Sequence, residues 1–133
     1  MTSKVTYLGE LRTSNTHTNS NSSYHTDAPL DNNGKGEAFS PTDTVATALA
    51  NCMLTMMGIK ARDLSIDLSG AEAEVTKTMA SNPRRISKIK VVINFSVAVD
   101  ERTKTILKNT ALTCPVHFSL HPDIEKDIVF NWP

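Results

Sequence analysis

Residues 40–58, "SPTDTVATALANCMLTMMG", decide how this chain is read. Ser40 is a good helix N-cap and Pro41 suits the first helical turn. Asp43 stands three residues after Ser40, an acidic form of the capping box. The helix predicted from that start runs through Ala46, Leu49, Ala50, Met53, Leu54 and Met57 to Gly58 or slightly beyond. Only Thr44, Thr47, Asn51 and Thr55 make its other face hydrophilic. A helix apolar on most sides is covered on most sides. In so small a domain it is a central helix wrapped by sheet, by a partner subunit, or by both. Cys52 sits in its middle.

Working outward, residues 4–31 are rich in Thr, Ser and Asn with scattered apolar side chains, Val5, Tyr7, Leu11 and Tyr24. They predict two or three short strands. "SNTHTNSNSS" (14–23) reads as a polar loop or hairpin end, and "DAPLDNNGKGEAFSP" (27–41), with Asn33-Gly34, as the turn-rich link to the helix. Past the helix, 71–79 alternate small or apolar with polar residues. Residues 86–99 do so more cleanly, with Ile89, Val91, Ile93, Phe95, Val97 and Val99 on one face. "SNPRR" (81–85) joins them as a hairpin turn. Asp100 caps a helix over 101–112, "CPVHFSLH" (114–121) begins a second short helix, and "DIVFNWP" (127–133) closes as a strand with Ile128, Phe130 and Trp132 inward. The order predicts a single α+β domain over 1–133, with helices packed on antiparallel sheet.

Composition narrows the function. The 133 residues suffice for one domain and are short for two. Aromatics are only 5%, so the core rests on Val, Ile, Leu, Met and Ala, and burial at an oligomer interface would help it. Fourteen basic and fourteen acidic residues balance without a basic stripe, which argues against nucleic acid or an anionic membrane as partner. The N-terminus has no positive segment followed by an apolar core. The longest uncharged run, Thr44 to Ile59, is shorter than the ~20 residues of a membrane span. The expectation is a soluble cytoplasmic protein. Two cysteines in that compartment suggest a reactive or metal-binding pair, or two buried thiols, more than a structural disulfide.

The two cysteine windows differ. Cys114 precedes Pro115 at a helix start, where the partial positive charge favours thiolate. Cys52 lies mid-helix among apolar residues, which disfavours ionisation unless a cation is brought to it. Taken alone it reads as core packing.

"SPTDTVATALANCM", followed 62 residues after its cysteine by "CPVHFSL", resembles the family of osmotically induced protein C and organic hydroperoxide resistance protein (OsmC/Ohr). Pro41 and Cys52 keep that family's eleven-residue spacing, Cys114-Pro115 matches its second motif, and the element order fits along essentially the whole chain. The resemblance implies a thiol peroxidase without haem, metal or other cofactor, built as an intertwined homodimer with both cysteines in a pocket at the subunit interface. It implies that Cys52 attacks an organic hydroperoxide and becomes a sulfenic acid. Cys114 then condenses with it to a disulfide, which a dithiol such as a lipoyl protein or thioredoxin reopens. An apolar pocket would favour an alkyl hydroperoxide over hydrogen peroxide. The family's arginine, from the N-terminal strands, maps to Arg12 in "GELRTS". Its partner glutamate, directly after the helix-start proline, is Thr42 here, with Asp43 next along and turned by ~100°. After Cys-Pro the chain reads Val116-His117-Phe118 in place of the aromatic and small polar residue of the peroxidase branches, nearer an OsmC-like branch.

Two other classes compete. Cys114, His117 and His121 form C-x2-H-x3-H, and Cys52 could complete a zinc set, although Pro122 follows His121 at once. A non-catalytic redox sensor or small-molecule carrier would use the same thiol pair.

Overall fold

The computed structural model describes residues 1–133, with elements in the order β1 (Ser3–Gly9), β2 (Arg12–His17), β3 (Ser23–Asp27), α1 (Pro41–Asp63), β4 (Glu72–Ala80), β5 (Arg85–Asn94), α2 (Glu101–Leu112), α3 (Pro115–Ser119) and β6 (Glu125–Asn131). The chain divides into two compact units, Met1–Val45 and Ala46–Pro133.

The first unit is an antiparallel meander, β1-β2-β3, followed by the link to α1. β2 runs through Ser14–His17, the first part of the stretch expected as a polar loop or hairpin end; the hairpin turn itself lies beyond it. The polar strand is held by its own side chains. The Thr13 and Thr26 hydroxyls pair across the ladder, and Asn15 Nδ2 donates to Thr13 Oγ1 and to the Tyr24 carbonyl. The β1–β2 turn places Gly9, Glu10 and Leu11 at positive φ. In the link, a 3-10 turn at Leu30–Asn32 is folded back by Ala28 N–H on the Leu11 carbonyl and Gly36 N–H on the Ala28 carbonyl. The unit buries little: Thr26, Asp27 and Ser40 are its buried residues, while Val5, Tyr7, Leu8, Tyr24, Leu30 and Phe39 stand exposed.

The second unit holds the core. β4 and β5 form the expected hairpin, turning at Ser81–Arg84 with a cis Asn82-Pro83 bond. Ile89, Val91 and Ile93 of β5 are fully buried against Leu49, Met53, Met57 and Ala61 of α1 and Leu107 and Ala111 of α2. β5 ends at Asn94, so the alternation seen as far as Val99 outlasts the strand; Phe95 still donates its N–H to the Asn131 carbonyl. Trp132 stacks on Phe95 at 3.6 Å between ring centroids. The α+β class and the long helix match expectation, but the second sheet is not wholly antiparallel as expected: β6 pairs with β5 in parallel. A parallel pair needs a long crossover, and α2 and α3 supply it.

α1 passes Gly58 and ends at Asp63, with Lys60 and Arg62 in its last turn, where cations suit the helix dipole. Its 23 residues, with a mean hydropathy of 1.2 over the most apolar window, are long and apolar enough to cross a membrane by length and composition alone. Core helices pass the same test, and Leu49, Met53 and Met57 are fully buried here.

Candidate active site

Both cysteines belong to the second unit and both are free. Cys114 is the N-cap of α3, with extended backbone at φ −71° and ψ 152°. Its Sγ accepts the His117 N–H at 3.4 Å, and Pro115 fills the first helical position, where a missing N–H costs nothing. Cys52 projects half-buried from α1 and packs against the same core. The fold packs the two thiols into one cluster, and the Cys52 sulfur influences the ionisation of Cys114.

Their environments depart from the sequence reading. Cys114 is at a helix start, yet it is completely buried. That burial pushes its thiol above the ordinary value; the His117 N–H pulls the other way, and the Cys52 sulfur adds to the rise. Desolvation outweighs the end of a five-residue helix. Cys114 therefore holds its proton at neutral pH. His117 is held below its ordinary value by burial, with the Lys126 ammonium adding to the effect.

Arg12 and Asp43 lie in the first unit. Asp43 completes a reciprocal capping box: Ser40 N–H donates to its Oδ2 at 2.9 Å, and its own N–H donates to Ser40 Oγ at 3.1 Å. Arg12 is held instead by two carboxylates that sequence reasoning missed. Nε and Nη2 donate to Asp27 at 2.7 and 2.9 Å, and Nη2 also donates to Glu37 at 2.8 Å. The hydrogen bond from Arg12 holds the Asp27 carboxyl below its ordinary value. Both carboxylates fall in the stretch read only as turn. The available signal was the short β2–β3 hairpin, whose register sets Arg12 opposite Asp27.

The competing zinc set does not form. No group of three or more His, Cys, Asp or Glu side chains is placed to hold a metal ion. His121 lies beyond α3, and its Nδ1 accepts the Asp123 N–H at 3.0 Å.

Residues 34–128 match the sequence profile of the family described as OsmC-like protein. The chain belongs to the OsmC-like family. A solved structure from Psychrobacter arcticus 273-4, provisionally named an osmotic stress induced and detoxification response protein, is 58% identical. The match covers 98% of this chain and 96% of that one, with a TM-score of 0.96. An OsmC-like protein from Mycoplasma pneumoniae (15% identity, 98% and 94% covered, TM-score 0.81) shares the fold. So does an organic hydroperoxide resistance protein OsmC from Legionella pneumophila (12% identity, 98% and 97% covered, TM-score 0.76). No curated protein sequence matches the chain. The OsmC-like fold thus spans this chain almost end to end, and the two cysteine motifs both fall inside the matched segment.

Proposed function

We propose that this OsmC-like chain is a thiol peroxidase that reduces organic hydroperoxides to alcohols. The observation that carries the reading is the packing of two free cysteines into one core cluster, Cys52 half-buried and Cys114 buried. The Cys52 thiolate attacks the terminal oxygen of ROOH, the O–O bond breaks, and Cys52 becomes a sulfenic acid. The departing alkoxide takes a proton, for which the Cys114 S–H is the adjacent source. The Cys114 thiolate so formed attacks the sulfenic sulfur, hydroxide leaves, and the Cys52–Cys114 disulfide closes. A dithiol reductant, a lipoyl or thioredoxin-like protein, returns both sulfurs to thiols. Arg12 is the cation assigned to the thiolate, and Asp43 contributes by fixing the start of α1.

The working form is a homodimer. On α1, Ala48, Cys52, Thr55, Ile59 and Arg62 recur at steps of four and three, the spacing of a helix-pairing seam, and Ile59 is 53% exposed. A first unit with three buried residues and a row of exposed apolar ones needs cover of the same kind. An apolar lining from a second copy would favour alkyl over hydrogen peroxide.

The reading is tested by oxidising the reduced protein with cumene hydroperoxide and mapping the products. Wild type should give the Cys52–Cys114 disulfide. Cys52→Ser should consume no peroxide; full consumption by that variant would reassign the nucleophile.

A further inference from the structure

Arg12 has one edge engaged and one edge open. Asp27 takes Nε and Nη2 in a bidentate fork, Glu37 takes the second proton of Nη2, and Nη1 carries no hydrogen bond. The two carboxylates are not equivalent. Asp27 is 1% exposed and is itself fixed by the Glu37 N–H on its Oδ2, while its own N–H is spent on the Phe39 carbonyl. The Glu37 side chain is 66% exposed and touches Arg12 at a single nitrogen. A bidentate carboxylate fixes the plane of a guanidinium as well as its position; a single exposed contact does not.

We propose that Asp27 is the positioning residue for Arg12, fixing the plane of the guanidinium and leaving Nη1 as the donor edge for an anionic partner. This rests on the assignment of Arg12 to the Cys52 thiolate given above. Glu37 is then a dispensable counter-charge, not part of the clamp.

Charge alone and positioning predict opposite signs. Removing either carboxylate unmasks the Arg12 charge, so on charge alone both Asp27→Asn and Glu37→Gln would favour the thiolate. Under positioning, Asp27→Asn frees the guanidinium and disfavours it. The experiment follows alkylation of Cys52 by iodoacetamide across pH, read on the Cys52 peptide by mass spectrometry. Arg12→Ala should move the midpoint up by about one pH unit or more. Asp27→Asn should move it in the same direction, with little further effect in the Arg12→Ala background, and Glu37→Gln should move it down. A midpoint for Asp27→Asn at or below wild type, with Arg12→Ala shifted, overturns the proposal and leaves the Arg12 assignment standing. An unmoved Arg12→Ala midpoint removes Arg12 from the site and the Asp27 proposal with it. Should Asp27→Asn fail to fold, Asp27→Glu keeps the charge but displaces the fork. A wild-type midpoint there overturns the proposal equally.

Discussion

Replacing Cys114 by Ser separates resolution from attack. The side chain is fully buried and caps α3, accepting the His117 N–H at 3.4 Å. A serine hydroxyl is the better cap, but the thiol already accepts this bond, so the gain is only part of the about 0.5–2 kcal/mol that separates a capping from a non-capping residue. Burying a hydroxyl costs about 1–3 kcal/mol when unpaired, but here its acceptor is used. These terms oppose each other, so stability should stay within about 1 kcal/mol of wild type. With an unfolding entropy near 0.28 kcal/mol/K for 133 residues, that is a Tm change of about 4 °C at most. The variant is therefore folded, and its chemistry is interpretable. One equivalent of cumene hydroperoxide without reductant should consume two thiols per wild-type chain and leave no sulfenic acid for dimedone to trap. The same dose should consume one thiol per Cys114→Ser chain and give a dimedone adduct at Cys52 approaching one per chain. An equal adduct yield in both proteins would refute the resolving role, as would an adduct-free variant that still loses its thiol.

Other outcomes follow from the same geometry. Because burial holds the Cys114 thiol above its unfolded value, the unfolded chain ionises first as pH rises past about 8.5. Stability should fall from there up to the folded value, by at most about 1.4 kcal/mol per pH unit. Cys114→Ser should lack that slope in denaturant titrations at pH 7–10, and an identical slope would mean Cys114 is not its source. Ile59→Asp on the exposed seam of α1 should shift micromolar protein from dimer to monomer in sedimentation, whereas an unchanged dimer would exclude that seam. Gly34→Ala would build its Cβ into the Ala28 carbonyl, whose strand-end hydrogen bonds leave no room to retreat. A loss of about 1–3 kcal/mol, or about 4–10 °C in Tm, is expected by thermal melting; no loss would show that the link is loose.

Much of the fold is legible because local signals agree with the global arrangement. The Ser40-Pro41-Asp43 start of α1 is a real capping box, and the apolar alternation of β5 marks the buried strand. Asp100 caps α2 as expected, accepting the Thr103 N–H at 2.8 Å. The failures have physical causes. β2 carries no apolar alternation, because its polar side chains are satisfied by one another and it faces no core. Gly58 does not end α1, since it occupies a helical position with open space beside it. The parallel docking of β6 depends on a crossover, not on its own residues. At the site, the cysteines were legible as motifs, but their relative states were not. Burial of Cys114 is a tertiary fact that reverses the helix-end expectation. Asp27 and Glu37 lie 15 and 25 positions from Arg12, and only strand register and the folded link bring them to it.

The central claim is turnover of organic hydroperoxide by a dithiol-fed cysteine pair. Its most direct test is the steady-state consumption of cumene hydroperoxide in many-fold excess over protein, compared with hydrogen peroxide, with dihydrolipoamide or dithiothreitol as reductant. We predict many turnovers per chain, with kcat/KM higher for cumene hydroperoxide than for hydrogen peroxide. Consumption that stops after one equivalent per chain, with reductant still present, would contradict the account and mark the protein as a sensor.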